Sequence, residues 1–494
     1  MNRGNRGWIS WLWALGCGGG IATEATEPAP ETAPWHYQLI AGARLLDDCS
    51  ICDRLPLEIP LQGGFEVQLM ERNPLFDRYE LSQIRFTDGA EPPGYELTGR
   101  GSFTWGGEVA LVQEWSLEGT VRSSAGQRPV LLRSPLGGVT RPWPMLAVEL
   151  AEEGGTLESR LFVTLAAAPL RELWFTTAHG MTSGLGEWPT NRIRSSDLLA
   201  SPARVVREGV RLLKQVGLAG DDLDVGIDAF TIPPGRDGEL WFSLDRGVVS
   251  TTLGPVAEGD LVSTRGAVVV RQADLVKAFG FMPPIPDLGL DAVEATSAGF
   301  RFSVRRPQFS ERLGRWVGRG DVLTNDGRIE RSHLDLLARF KPTDANPDYG
   351  LDGFYCWPSG EVWFTTEEGL QDRVLGYVTD GDVLSDQGYV VARNLDLVRD
   401  FQPLEDLANF GLQGFWAISD AAAAGPGVKL RIAPGPPDEI VLSWEGGGRV
   451  HQVEATDRCG DPFQPVTPLL LDTAWSEALT DPPRPARFYR VRTW

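Results

Sequence analysis

Two series of aspartates recur along the chain at a nearly constant spacing, and their carboxylates are the groups best suited to chemistry. The first series, Asp197, Asp260, Asp321 and Asp382, has intervals of 63, 61 and 61 residues. Calcium takes six to eight oxygen ligands, mainly carboxylates and carbonyls. A repeating fold that brought these carboxylates to a common axis could hold such an ion. These four residues are therefore the calcium candidates of the sequence.

The second series consists of Asp228, Asp291 and Asp352, with Gln413 in the fourth place. The same symmetry would relate its members. Aspartates that follow Gly or Ser just before a strand also cap turns, because the carboxylate accepts hydrogen bonds from nearby backbone N–H groups. The sequence leaves both roles open, and turn chemistry is the commoner of the two.

Nucleophilic catalysis has little support in this sequence. The Gly-x-Ser-x-Gly elbow is absent, and only four histidines are available as bases. His179 precedes Thr182 and Ser183 on a glycine-rich loop, but a general base needs partners that spacing cannot reveal. The Arg-Gly-Asp triplet at 319–321 coincides with an adhesion motif, yet it occupies a repeat position filled elsewhere by Ser-Ser-Asp, Glu-Gly-Asp and Asp-Gly-Asp. We predict no catalytic residue.

Cys49 and Cys52 lie in the segment DDCSICDR. Their spacing suits a local disulfide, a redox pair or half of a zinc site. The neighbouring aspartates would oppose the thiolate that a redox pair requires. We predict a structural disulfide.

The aspartates belong to a fourfold repeat, with units at 170–230, 231–293, 294–354 and 355–415, inside a region that ends near 420. Each unit contains four short strand candidates, including RELWFTTA, GELWFSLD, GFRFSVRR and GEVWFTTE. A helical turn precedes the last strand. Its leading aspartates, Asp274, Asp335 and Asp396, are expected to cap it. The first unit has Arg211 there, which predicts a fuller helix or a weaker cap.

Adjacent large apolar residues, as in Leu240-Trp241-Phe242, point to opposite faces of a strand and require cover on both sides. Stacked blades around an axis supply that cover, so we predict a small β-propeller. Pairing the strand near Leu412 with the one near Leu173 would close a ring; an open array is the alternative. The pattern Asp-Ala-Phe, turn, Gly-Glu and aromatic strand is similar to blades of hemopexin-type four-bladed propellers, over about ten residues per unit.

The sequences of the two flanking modules also predict strands, so the predicted fold class is all-β. Residues 36–169 alternate apolar and polar side chains, which predicts an antiparallel sandwich or small barrel. After a linker at 421–427, residues 428–494 form a third module. Its LSWEGG element, Trp475 and closing FYRVR resemble small immunoglobulin-like or fibronectin-like domains, which implies surface display or spacing.

The N-terminus resembles an export signal at 1–25, followed by a linker at 26–35. Arg3 and Arg6 precede a short apolar run. Cys17 in ALGC resembles the bacterial lipobox, so lipidation is the alternative to simple cleavage. No later segment approaches 18 consecutive apolar residues, so we expect no membrane crossing. The predicted location is secreted, periplasmic or cell-surface in a bacterium.

Charge narrows the choice of function. The formal net charge of -21 argues against nucleic acid as a partner, because phosphate binding requires clustered Lys and Arg. We predict an exported, non-enzymatic binding or structural protein that recognises a surface glycan or protein, with calcium as its one candidate cofactor. The alternative is a secreted polysaccharide hydrolase or lyase whose site lies on one face of the repeat domain.

Overall fold

The structure is a computed structural model that describes residues 33–49, 51–156, 159–186, 191–218, 225–344, 348–421, 427–436, 439–458, 460–478 and 487–494. The predicted export signal and the lipidation candidate Cys17 lie outside the described residues. Cys459 and most of the two linkers do so as well. The described part of the chain contains 40 strands and four short α-helices, and all of its strand pairs are antiparallel. The all-β fold class is confirmed.

The N-terminal module is one antiparallel sheet. Its strands are β1 Trp35–Leu39, β2 Arg44–Asp48, β3 Leu57–Pro60, β4 Gln62–Arg72, β5 Phe76–Thr87, β6 Glu96–Gly106, β7 Val112–Ser123, β8 Gly126–Gly138, β9 Leu146–Glu152 and β10 Arg160–Ala168. β1 pairs with both β4 and β10, so eight strands close on themselves, and β2 and β3 continue from β10. Of the two predicted architectures, the pairing corresponds to the barrel.

The closed sheet follows from the alternation in its strands. In β5, Tyr79 and Leu81 are buried while Arg78 and Glu80 are exposed. Inside the sheet the rings of Phe103 and Trp115 stack with centroids 4.2 Å apart. Burial of such large aromatic side chains is the main stabilising term for a sheet of this kind.

Four four-stranded sheets make up the repeat region. The first two units contain β11 Leu170–Thr176, β12 Met181–Thr182, β13 Arg192–Ile193, β14 Leu198–Ala200, β15 Arg204–Arg207, β16 Ile227–Thr231, β17 Trp241–Leu244, β18 Val248–Ser250, β19 Gly254–Val256, β20 Leu261–Ser263 and β21 Ala267–Val270. The next two contain β22 Ala292–Thr296, β23 Gly299–Ser303, β24 Gln308–Ser310, β25 Arg315–Val317, β26 Val322–Thr324, β27 Arg328–Arg331, β28 Gly353–Cys356, β29 Val362–Thr365, β30 Leu370–Asp372, β31 Gly376–Val378, β32 Val383–Ser385, β33 Tyr389–Ala392 and β34 Gly414–Ser419.

The first sheet is assembled from both ends of the repeat region. Its order is β15-β14-β11-β34, so the last strand of the repeat pairs with the first. The other sheets have the orders β16-β17-β20-β21, β22-β23-β26-β27 and β28-β29-β32-β33. Each four-stranded sheet is one structural unit, so β34 belongs to the first unit, and β16, β22 and β28 begin the second, third and fourth units two to four residues before the boundaries expected from the sequence. The four inner strands β34, β16, β22 and β28 contact one another in cyclic order. They therefore surround a common axis.

Short helices connect the outer strand of each unit to the next inner strand. They are α1 Gly209–Gln215, α2 Gln272–Leu275, α3 His333–Leu336 and α4 Asn394–Val398, with 3-10 turns at Lys277–Phe279 and Arg399–Phe401. α1 is the longest, and it has no side-chain cap. No helix within the described residues combines the length and apolar character needed to cross a membrane.

The expected caps of these helices are wrong in two units. Asp274 and Asp396 lie within the first turn of α2 and α4, and neither helix has a side-chain cap at its N-cap residue. Asp335 takes part in a capping box, but Ser332 is the N-cap residue there. Each of these helices begins two residues before its aspartate, which places the aspartate in the first turn and not at the N-cap.

The C-terminal module packs two three-stranded sheets, β35-β36-β39 and β38-β37-β40. Its strands are β35 Lys429–Pro434, β36 Glu439–Glu445, β37 His451–Thr456, β38 Gln464–Pro465, β39 Ala474–Ala478 and β40 Phe488–Thr493. Leu442, Trp444 and Val453 form the buried centre of the module. The immunoglobulin-like assignment stays a prediction.

Candidate functional site

The second aspartate series lies at the axis of the repeat region. Asp228 lies within β16, while Asp291 and Asp352 immediately precede β22 and β28. Gln413 precedes β34 in the same way. The exposed fractions of Asp228 and Asp291 are 1% and 0%. Because the four inner strands surround one axis, the fold brings together three carboxylates and one amide from four separate units.

A second set of side chains reaches the same place from the end of the second strand of each unit. The equivalent residues there are Ala178, Asp245, Arg305 and Glu367. The Nη2 atom of Arg305 lies 3.1 Å from both carboxylate oxygens of Asp228, and its Nε lies 3.3 Å from Oδ1 of Asp291. The same Nε is 3.8 Å from Glu367. One guanidinium thus touches carboxylates of three units.

Asp291, Asp352 and Glu367 form the tightest acidic group. One ligand oxygen from each lies within 4.8 Å of the other two. Burial raises the pKa of Asp291 well above its usual range, and the neighbouring Asp228 and Glu367 raise it further. Burial also raises the pKa of Asp352, with Asp228 and Glu367 adding to the effect. The site is short of positive charge.

Glycine two residues before each axial side chain makes room for this arrangement. A Cβ on Gly289 would lie 2.9 Å from the Cβ of Arg305, and one on Gly350 would lie 2.4 Å from a carboxylate oxygen of Glu367. Both glycines have positive φ, +73° and +74°, where other residues are strained. Gly289 and Gly350 therefore let Arg305 and Glu367 lie flat against the backbone and reach the axis.

The first aspartate series occupies a different position, at the turn before the third strand of each unit. One oxygen of each carboxylate accepts the N–H three residues earlier, at 2.8–3.1 Å. The other oxygen accepts the N–H of the first helix residue, at 2.6–3.0 Å. Asp197, Asp260, Asp321 and Asp382 thus use both oxygens to join a turn to a helix start. Among the described residues, the acidic group with atoms close enough to share a metal ion contains Asp291 and Asp352 of the other series together with Glu367.

The other sequence candidates have structural surroundings. Arg319 of the Arg-Gly-Asp triplet donates to Glu367 at 2.7 Å and to Glu368 at 2.9 Å. Ser183 is buried, and its hydroxyl donates to the carbonyl of Phe401 at 2.7 Å. That hydrogen bond directs the hydroxyl proton to the backbone.

Cys49 and Cys52 form a disulfide, with Cα atoms 5.3 Å apart. The bridge closes the loop between β2 and β3 at the edge of the N-terminal sheet. A disulfide occupies both sulfurs, so this pair has no thiolate to offer to zinc.

Arg305 and Glu367 are the two site residues that the sequence interpretation did not assign to a site. A signal for them exists, because aligning the four units on their aromatic strands puts Ala178, Asp245, Arg305 and Glu367 in one column. That column varies in charge, while the two columns before it contain only apolar or hydroxylated residues. In a repeat fold such a column marks the place where the units are specialised.

No protein-family model matches this chain, and no curated protein matches it. Among solved structures, one similar chain is the extracellular domain of a putative hybrid two-component system from B. thetaiotaomicron. The two are 8% identical, the match covers 93% of this chain and 98% of the other, and the TM-score is 0.21. A likeness at that level carries no argument about fold or role.

Proposed function

We propose that this chain is an exported, non-enzymatic binding protein, that its four repeat units are blades of a small β-propeller, and that its ligand face is the end at which the inner strands begin. The ligand is a surface glycan or protein. The observation that carries the proposal is a group of large apolar side chains held exposed on hairpins at that one end.

The strand directions bring several elements to this end. In the second unit Ile227 of β16 pairs with Leu244 of β17, so the start of the inner strand lies beside the end of the next strand. The hairpin β18–β19 follows directly after β17. The hairpins β24–β25 and β30–β31 follow β23 and β29 in the same way. All three therefore extend from the end that carries the axial carboxylates.

Each hairpin presents an apolar side chain to solvent. Trp316 is 62% exposed and Tyr377 is 63% exposed, and they occupy equivalent positions in neighbouring units. Phe309 pairs across β24–β25 with Trp316 in a T-shaped contact, with ring centroids 5.9 Å apart. Exposed apolar groups gathered at one place mark interaction surfaces, and Trp and Tyr are prominent among residues that dominate binding.

The rival function is an enzyme that uses the same end of the repeat domain. A glycosidase must bring two carboxylates to a sugar from opposite sides. Here Asp228 and Asp291 are almost fully covered and Arg305 lies over them, so a sugar has no access to both. The burial favours binding over hydrolysis.

Affinity electrophoresis tests this proposal. The protein is run through native gels that contain one of a panel of surface polysaccharides, and through gels loaded with purified surface-layer protein. We expect retardation by at least one ligand, and we expect Trp316→Ala together with Phe309→Ala to abolish it. Leu136→Ala is the matched control, because Leu136 is an equally exposed apolar residue on the N-terminal sheet.

Two results would contradict the proposal. Full retardation of the Trp316 and Phe309 double variant would show that the hairpin β24–β25 is not part of the binding surface. Release of new reducing ends from a polysaccharide, measured over time with the wild-type protein, would establish the enzymatic rival instead.

A further inference from the structure

The axial site holds more negative charge than its own cations offset. Asp228, Asp291, Asp352 and Glu367 contribute four carboxylates, and the guanidiniums in contact with them belong to Arg305 and Arg319. With all four carboxylates ionised these groups carry a formal charge of -2, which equals the charge that one divalent cation offsets. Asp245 does not change this balance, because it pairs with Arg246 at 3.2 Å. Arg319 also pairs with Glu368, so this count is the smallest imbalance.

We propose that Asp291, Asp352 and Glu367 bind one calcium ion beside the axis of the repeat domain. This site is distinct from the apolar hairpins of the ligand face and does not depend on them. It is also distinct from the four aspartates of the first series, whose oxygens already accept backbone N–H groups.

Asp291 supplies an independent indication of a ligand. It is fully buried, and neither of its oxygens accepts a hydrogen bond. Its contact with Arg305 is an ion pair at 3.3 Å through one oxygen. A buried carboxylate with unused acceptor capacity costs several kcal/mol in folding unless a proton or cation compensates. A cation between Asp291, Asp352 and Glu367 would use those oxygens.

The chemistry of the donors favours calcium over a transition metal. All three side chains offer carboxylate oxygens, and the group contains neither histidine nor cysteine. Hard cations such as calcium prefer oxygen ligands, whereas zinc and copper prefer nitrogen and sulfur. Gln413, which holds the fourth axial position, has a buried side-chain oxygen without a hydrogen-bond partner. Its carbonyl is a further donor of the type that calcium accepts.

The symmetry of the ring predicts where the ion lies. Arg305 of the third unit already compensates Asp228 of the second through two contacts of 3.1 Å. Glu367 of the fourth unit has no counterpart in the first, where the equivalent residue is Ala178. The described residues include no arginine or lysine in an ion pair with Asp352. The ion should therefore lie beside the axis, on the side formed by units three and four.

Isothermal titration calorimetry of the full chain with CaCl2, after dialysis against a chelator, tests the proposal. We expect binding of one ion per chain and a melting temperature that rises with calcium concentration, because an ion bound only by the folded state stabilises it. Asp291→Asn and Asp352→Asn should each weaken binding at least tenfold.

The stability of the calcium-free variants separates a binding role from a structural one. Each substitution removes a carboxyl group whose ionisation is disfavoured by burial and by the neighbouring carboxylates, so without calcium both variants should melt no lower than the wild type. Glu368→Gln is the control, because it makes the same change of charge at the adjacent residue, which is exposed. It should bind calcium as the wild type does.

Three results would overturn the proposal. One is the absence of both heat and melting shift with millimolar CaCl2. Another is undiminished calcium binding by Asp291→Asn and Asp352→Asn. The third is an equal loss of calcium binding in Glu368→Gln, which would show that the binding depends on surface charge alone.

Discussion

The repeated aspartate of the first series shows how one side chain fixes the geometry of a whole unit. In the fourth unit, Asp382 accepts N–H groups from Thr379 and Asn394 at 3.1 and 2.9 Å, and Arg393 contacts it at 2.8 Å. One carboxylate therefore holds the turn before β32 and the start of α4 together. These bonds satisfy backbone donors that no strand or helix would otherwise satisfy.

Asp382→Ala should lower the free energy of unfolding by about 1 to 2 kcal/mol, the usual cost of removing a cap. The loss should be the same with calcium and with chelator, because the carboxylate binds backbone and not metal. Urea unfolding under both conditions measures it, with Asp406→Ala at an exposed site as the control. If the free energy of unfolding fell only in the presence of calcium, the first aspartate series would be the metal site.

His451 makes the stability of the C-terminal module depend on pH. It is fully buried against Trp444, and neither ring nitrogen has a hydrogen-bond partner. Burial lowers its pKa from 6.5 to about 4. The unfolded chain therefore binds a proton between these values that the folded chain does not, so stability falls as the pH drops from 6.5 towards 4.

His451→Phe should flatten this dependence. The shift corresponds to about 3 kcal/mol between neutral pH and pH 4, and a ring of similar volume without ionisable nitrogens removes it. Urea unfolding across the pH range gives the measurement. His36, whose pKa is also lowered to about 4, leaves a residual slope of the same sign. An unchanged slope in His451→Phe would mean that the ring is not buried as described.

At the scale of elements, three units share a glutamate and a tryptophan two residues later on the aromatic strand. Side chains at this spacing lie on one face of a strand. The indole N–H donates to the glutamate at 2.7–2.9 Å in the pairs Glu172 and Trp174, Glu239 and Trp241, and Glu361 and Trp363. Trp174 and Trp363 are fully buried, and in these two units the glutamate allows the indole to be buried with its N–H satisfied, whereas Trp241 is partly buried.

Glu361→Ala should destabilise the protein by about 3 kcal/mol. Trp363, Ser385 and Tyr389 all donate to one oxygen of Glu361, and the substitution would leave two buried donors and one partly buried donor without an acceptor. Glu361→Gln keeps a carbonyl acceptor, so it should lose less. Chemical denaturation monitored by tryptophan fluorescence compares them, and equal losses in the two variants would rule out the acceptor role.

Most of the fold could be predicted from two patterns, the period of the repeat and the alternation of apolar and polar residues in the strands. The pairing of β34 with β11 could be anticipated because the first and last aromatic strands lacked neighbours. The hairpins β18–β19, β24–β25 and β30–β31 were not foreseen, since strands of three residues contain too few positions to show a period of two.

The candidate site was only half predictable. The sequence singled out Asp228, Asp291 and Asp352, but it could not rank them above the first series, because spacing alone does not show which carboxylates face an axis. Neither Arg305 nor Glu367 was assigned to a site, since each is unique among the units at its position. A repeat pattern finds what the units share, whereas this site depends on where they differ.

At the scale of the whole molecule, Asp420 joins the three modules. Its carboxylate accepts the backbone N–H of His36 at 2.6 Å, Nε of Arg171 at 2.8 Å, Nη2 of Arg492 at 3.0 Å and Nε1 of Trp494 at 2.7 Å. Burial opposes its ionisation, but the hydrogen bond and charge of Arg171, together with Arg492, lower its pKa. Asp420 follows β34, so the strand that completes the first sheet also anchors both flanking modules.

Asp420→Asn should therefore weaken all three modules together. The substitution keeps the shape but leaves Arg171 and Arg492 partly buried without their counter-charge, a change that costs about 3 to 5 kcal/mol for a buried pair. We expect a lower urea midpoint and the appearance of separate unfolding transitions for the modules, followed by tryptophan fluorescence and circular dichroism.

Asp472→Asn is the matched control, because Asp472 also links the C-terminal module to the repeat region, through Arg207, but its side chain is 53% exposed. An exposed ion pair contributes about 1 kcal/mol or less, so this variant should unfold in one transition near the wild-type midpoint. If Asp420→Asn behaved like Asp472→Asn, the apolar contacts between modules would be sufficient to hold them together, and Asp420 would be one contact among many.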